Sequence, residues 1–353
     1  MHSTLSRRRL LGLGAALGAG AALAGAPSHT ASAASGVSGE VAAGLAGGRP
    51  RAGRGAAWPV RIELPTGFHP GGVAAGSRPF AYYGSLFGGE IYRADLASGR
   101  GEVISPDLGE GHSAAGIALD CRGRLFISGA YSGRGRVMDV ASGRDLASYQ
   151  LGGAGTVVAD VALTADAAYF TDAFHPVLYR LPLGPRGELP PAGKVVAVEL
   201  SGDWVQGGPG EVTALGITPT PDGRALIVVH LLAGGSLMRV DPATGVARRI
   251  PLGGAALPAG NGIRLDGTTA YVAQHDAIDV LRLNGAGTRA VPVTRITDPD
   301  FDGPSAVAVH GERLYVSNFG PTTPTDETPY HSTAVPLVRR TTHRSATLHK
   351  ETA

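Results

Sequence analysis

Residues 215–250 read LGITPTPDGRALIVVHLLAGGSLMRVDPATGVARRI. Four short apolar runs are separated by turn residues. Gly216-Ile217-Thr218 leads to Pro221-Asp222-Gly223. Ala225 to Val229 follows and ends in the polar His230. Ser236 to Val240 alternates apolar with polar, then meets Asp241-Pro242-Ala243-Thr244-Gly245. Val246 to Ile250 closes the unit. Runs this short and rich in β-branched residues, punctuated by Asp-Gly and Asp-Pro, predict one antiparallel four-stranded meander.

The same phrase recurs along the chain. Its first run begins at Gly72, Gly116, Asp160, Gly216, Gly262 and Ser305, at steps of 44, 44, 56, 46 and 43 residues. Its second run ends at Ser85, Gly129, Asp172, His230, Gln274 and Asn318. The one long step carries an insertion, the Pro/Gly-rich Gly184 to Gly193 together with the segment around Trp204 to Gly210. Four strands per repeat at a period of about 40–45 residues is the signature of a β-propeller blade. The predicted fold is therefore an all-β, six-bladed propeller over 58–338.

Composition agrees with many turns between short strands. Of 353 residues, 54 are Gly and 25 are Pro, and a propeller absorbs this length as one domain. The single cysteine, Cys121, rules out an internal disulfide and reads as an incidental turn residue. Stability must come from sheet packing and ring closure. The propeller span holds 21 Lys and Arg against 27 Asp and Glu. A mildly acidic body opposes a nucleic-acid partner, which demands a basic face.

The N-terminus has its own chemistry. Ser6-Arg7-Arg8-Arg9-Leu10-Leu11 resembles the twin-arginine export motif. A weakly apolar Ala/Gly stretch follows to Gly25, and Ala31-Ser32-Ala33 offers a cleavage site. The apolar stretch is shorter than the ~20 residues of a membrane span. Residues 1–33 are thus expected to be a signal peptide, with secretion of a monomeric mature chain that has no membrane span. Residues 34–57 and 339–353 lack any apolar period and are expected to be a disordered lead-in and tail. A propeller must close its ring or expose strand edges. Two segments can complete the sixth blade, Trp58 to Leu64 and Ala334 to Val338.

Meander topology puts the turn entering strand one and the turn leaving strand two at the same end of every blade. This gives an inner ring, Gly71, Ala115, Ala159, Leu215, Asn261 and Pro304, and a more polar outer ring at the strand-two ends. The candidate ligand-binding residues are Asp160, Asp172, His230, Asn261, Gln274 and Asn318. Asp172 and His230 are the candidates for catalysis. Each also has a structural reading, Asp172 as a turn cap and Asp160 as an acceptor at a blade junction. Among other chemistries, Gly84-Ser85-Leu86-Phe87-Gly88 lacks the central serine of a nucleophile elbow.

Ala159-Asp160-Val161-Ala162-Leu163-Thr164, with Ala168-Tyr169-Phe170-Thr171-Asp172 after it, resembles the Asn-Asp … Tyr-Phe-Thr-Asp phrase of the senescence marker protein/gluconolactonase family. Gly67-Phe68-His69-Pro70-Gly71-Gly72-Val73 and Gly260-Asn261-Gly262-Ile263 extend the likeness. The branch it resembles is made of secreted actinobacterial propellers, some labelled superoxide dismutase. That redox chemistry needs clustered His or carboxylate ligands, and the 11 His here are scattered. The resemblance implies lactonases with one divalent cation at the mouth. Carried over, the family's ligand positions fall on Gly71, Ala159, Leu215 and Asn261, of which Asn261 alone keeps a side-chain oxygen. A hard cation wants about six to eight oxygens, so no cofactor is expected. Two readings stand. In the first, the mouth binds a small molecule or a cell-surface component. In the second, the chain is a lactone or ester hydrolase whose calcium or zinc site has moved to Asp160, Asp172, Asn261 and Asn318.

Overall fold

The computed structural model describes residues 58–320, 325 and 327–338. The expected signal peptide, lead-in and tail lie outside the described residues. The described chain forms six four-stranded antiparallel blades, as the repeat predicts. Blade one is β2 (Pro70–Ala75), β3 (Phe80–Ser85), β4 (Ile91–Asp95) and β5 (Gly101–Ser105). Blade two is β6 (Ile117–Leu119), β7 (Arg124–Ser128), β8 (Arg134–Asp139) and β9 (Arg144–Gln150). Blade three is β10 (Val158–Leu163), β11 (Ala167–Asp172), β12 (Val177–Pro182) and β13 (Val196–Glu199).

Blade four holds β15 (Ala214–Pro219), β16 (Leu226–His230), β17 (Ser236–Val240) and β18 (Val246–Arg249), with the two-residue β14 (Ser201–Gly202) added parallel to its outer edge. Blade five is β19 (Ile263–Asp266), β20 (Thr269–Ala273), β21 (Ile278–Leu283) and β22 (Ala290–Ile296). Blade six is β23 (Pro304–His310), β24 (Arg313–Asn318), β25 (Tyr330–Pro336) and, as its outer strand, β1 (Arg61–Leu64).

The turn between the third and fourth strands shows why the sequence bends where it does. Asp95, Asp139 and Asp241 each open a five-residue turn that ends in Gly99, Gly143 or Gly245. Each carboxylate accepts backbone N–H bonds from the turn it starts, for example from Ala243 at 2.9 Å and Thr244 at 3.0 Å. The closing glycines sit near φ +70°, where a Cβ is strained. These hydrogen bonds hold all three carboxyls below their usual pKa.

The inner strands meet around the axis at a waist of small residues. A Cβ on Gly72 would lie 2.8 Å from the Ile117 nitrogen, and one on Gly262 would lie 2.8 Å from the Ala306 Cα. On Gly216 it would strike the Asn261 carbonyl, and on Gly116 it would strike Asp160. Polar bonds join blade to blade at this level. Thr171 Oγ1 donates to the Leu215 carbonyl at 2.8 Å, Gly216 N to Asn261 O at 3.2 Å, Gly262 N to Ser305 O at 2.9 Å, and Ser305 Oγ to Gly71 O at 2.7 Å.

Both candidate closing segments take part in the sixth blade. Strand β25 begins four residues before Ala334 and is the third strand; β1 is the fourth and pairs with it from Arg61↔Thr333 to Leu64↔Tyr330. Ile62 and Leu64 are buried with Phe68, Tyr83, Tyr315 and Tyr330 between blades six and one. Trp58 stacks on His310, and Arg313 donates to the carbonyls of Trp58 and Pro59. Deleting 58–64 therefore strips the hydrogen-bonded cover from β25 and part of that core. The expected outcome is aggregation or loss of a cooperative melting transition. Truncation after Arg340 is expected to leave the melting curve unchanged, and calorimetry of the two shortened chains checks both statements.

Candidate functional site

The axial channel opens at the end where strand one begins and strand two ends. Its upper part is a narrow cavity of about 50 Å3. Gly71, Ala115, Ala159, Leu215 and Asn261 line it from the starts of the inner strands, and Leu86, Ala173 and Phe319 from just beyond the second strands. Five of the six inner-ring residues named from sequence thus face one space, as do all four residues carried over from the family's cation site. The wall is hydrocarbon and glycine except for Asn261, Asp160 and Ser305.

Asp160 sits at the waist, half-buried, with its carboxylate at the channel wall. Oδ1 accepts the Val161 N–H at 2.8 Å, and Oδ2 accepts the Ile217 N–H of the next blade at 3.1 Å. Burial pushes its pKa up to about 7, against the opposing pull of these two hydrogen bonds and of Arg264. In the other blades the waist position belongs to glycine or Ala306, so Asp160 brings the one charge into that ring.

The other four candidates lie apart from the lining of this cavity. Asp172 is fully buried and carries four donors: Val157 N at 3.3 Å, Phe174 N at 3.0 Å, His175 Nδ1 at 2.9 Å and Tyr179 OH at 3.0 Å. It ties the end of β11 to the segment entering β10, to its own following turn and to β12. His230 is 1% exposed and donates from Nε2 to the Val205 carbonyl at 2.8 Å, under the edge of Trp204. Burial lowers its pKa, which favours the neutral ring. The 44-to-56-residue lengthening of the repeat thus supplies a loop that folds over His230. Gln274 Oε1 accepts the Ala259 N–H at 3.1 Å. Asn318 bonds Asp302 N, Asp300 O, His331 O and Thr333 Oγ1.

The reason is alternation. Successive strand residues point to opposite sides. At the end of strand two the polar residue turns under the loops, and the following residue faces the channel. Leu86, Ala173 and Phe319 are these following residues, and the +1 register was the signal that would have found them. Among the described residues, no three His, Cys, Asp or Glu come together in a way that could hold a metal ion. No described helix is long and apolar enough to cross a membrane.

No protein-family model matches the chain, and no curated protein matches it by sequence. Solved structures share its fold. The major allergen Mala s 1 of Malassezia sympodialis aligns at TM-score 0.57 and 16% identity, over 79% of this chain and 96% of its own. Regucalcin of Agrobacterium tumefaciens, described as a calcium-binding protein, aligns at 0.54 and 18%, over 80% and 98%. A gluconolactonase of Xanthomonas campestris aligns at 0.51 and 16%, over 75% and 86%. Likeness at these identities extends to the fold.

Asp160 makes stability depend on pH. Its folded pKa lies above its unfolded value, so between about pH 4 and 7 the unfolded chain gives up a proton that the folded chain keeps. The contribution is complete below that window and is lost as pH rises through about 7. The slope amounts to at most roughly 1.4 kcal/mol per pH unit. Asp160→Asn is expected to flatten this part of the stability profile, measured by denaturant unfolding at a series of pH values. An unchanged slope would place the titration elsewhere.

Proposed function

We propose that this propeller is an exported binding protein. Its apolar mouth receives part of a small molecule, or a group presented by a cell-surface component, without a metal ion. One observation carries the reading: Gly71, Ala159, Leu215 and Asn261 converge on the mouth and bring a single side-chain oxygen. A cation there would lose most of its hydration without replacement ligands, which is unfavourable. A cavity of about 50 Å3 admits a few water-sized groups, not a whole sugar lactone. Small apolar walls instead suit a methyl or short alkyl group, with Asn261 at the rim as polar neighbour.

The hydrolase reading needs a relocated cation held by Asp160, Asp172 and Asn261. Asp172 argues against it, because four donors already occupy its oxygens. Stripping them to bind a cation would leave buried donors unpaired. Export rests on Arg7-Arg8-Arg9 and the small-residue site at Ala31-Ser32-Ala33. A route that carries folded chains suits a ring whose single cysteine gives it no internal disulfide.

Calcium or zinc at millimolar concentration is expected to leave the melting temperature unchanged. A ligand at 100 times its Kd would add about 2.7 kcal/mol, so even weak binding registers. A panel of lactones with and without calcium, zinc or manganese is expected to show background turnover. A melting shift of several degrees that Asp172→Ala abolishes would instead establish the relocated site and the hydrolase. For export, changing Arg7 and Arg8 to Lys is expected to retain the chain inside the cell; normal secretion of that double variant would reject the twin-arginine route.

A further inference from the structure

The blade register isolates one side chain. Opposite the second-strand residues Tyr82, Phe126, Tyr169, Ile227 and Tyr315, the inner strands of five blades carry Ala74, Ala118, Ala162, Thr218 and Ala308. In blade five the same place, opposite Tyr271, holds Arg264. Small residues at this level let the inner strands pack. A guanidinium there is a departure from the repeat that the fold does not require.

Arg264 lines the second axial cavity, which lies on the far side of the waist from the mouth. This space is about 470 Å3, within the range of about 300–1,000 Å3 common for small-molecule sites. Its walls include Leu119, Leu163, Pro219, Leu265 and Val307, and among the described residues its charged lining is Arg264 and Asp160. The Arg264 side chain reaches the solvent of the cavity and makes no hydrogen bond or ion pair among the described residues. The side chain is exposed to that solvent rather than buried in protein; the surrounding walls lower its pKa, and Asp160 and Asp266 partly offset this. An anion entering the cavity therefore meets a guanidinium that has no hydrogen-bond partner to give up among the described residues.

The chemistry of that anion follows from the surroundings. The guanidinium fork matches a carboxylate in two parallel bonds. One guanidinium matches one negative charge, and the second charge of a dianion such as a phosphomonoester would meet only the carboxylates of Asp160 and Asp266. The apolar walls favour hydrocarbon beyond the charged group. We propose that the far cavity is a binding site for a monocarboxylate with an apolar body, its carboxylate held by Arg264. The site lies across the waist from the mouth and shares with it only Gly72, Asp160, Gly262 and Ala306.

The test is calorimetric titration of the full chain at neutral pH with octanoate and with octanamide, which has the same chain and no charge. Octanoate is expected to bind at least about tenfold more tightly, about 1.4 kcal/mol. Arg264→Gln is expected to bring octanoate to the level of the amide, with Arg264→Lys in between. Asn261→Ala, at the opposite mouth, is expected to leave octanoate binding alone, which separates this site from the one proposed above. Should Arg264→Gln lower the melting temperature, the native protein supplies the second readout. Its Arg264 Nε–H resonance is expected to shift with octanoate and stay fixed with octanamide. Equal binding of acid and amide, undiminished octanoate binding by Arg264→Gln, or no binding at millimolar octanoate would each overturn the proposal.

Discussion

The molecule depends on how closely six inner strands approach one another at the axis. Backbone there contacts backbone, and the Cβ of any residue at Gly72, Gly116, Gly216 or Gly262 would overlap a neighbouring blade. Close approach lets N–H and hydroxyl donors of one blade reach carbonyls of the next, so the ring is joined by hydrogen bonds as well as by packing. Buried backbone groups must be paired somewhere. At the waist they are paired between blades, and the glycines make that geometry accessible.

Within so restrictive a ring, departures from the repeat carry information. Asp160 stands where the other blades carry glycine or Ala306, and its two oxygens accept the Val161 and Ile217 N–H groups. Arg264 replaces a small residue one level away. The channel consequently has two unlike ends. The narrow one is almost purely apolar, and the wide one joins apolar walls to an unbonded cation. Opposite charges on the same axis influence each other without touching: each shifts the other's proton equilibrium toward the charged form, while enclosure shifts both away from it.

Much of the architecture was legible in the chain. The period of the apolar runs, with Asp-Gly and Asp-Pro between them, specified six blades of four strands, because turn residues and β-branched runs act locally. The use of Trp58 to Leu64 in closure followed from the need to cover an edge. The site was legible only in part. Gly71, Ala115, Ala159, Leu215 and Asn261 share a space because their place in the repeat fixes their place on the axis. The directions of Asp172, His230, Gln274 and Asn318 follow from alternation once the ends of the second strands are fixed, but the loop that brings Val205 over His230 and Gln206 to Phe174 is encoded by no local pattern. Arg264 is visible in the sequence once the six repeats are set in register, but hydropathy patterning passes over a lone charge in an inner strand.

Closure by β1 also governs the order in which the protein can be made. Arg313 bonds Trp58 across 255 residues, and β1 finds its partner only after β25 has left the ribosome. Five blades can assemble from neighbouring segments as they emerge. The sixth waits for β1, the first of the described strands, to return, a contact of very high sequence separation and correspondingly slow formation. Throughout that interval the outer edge of β25 stands unpaired. The time spent as an open ring, rather than the stability of the finished one, then sets how exposed the nascent protein is to self-association and to proteases.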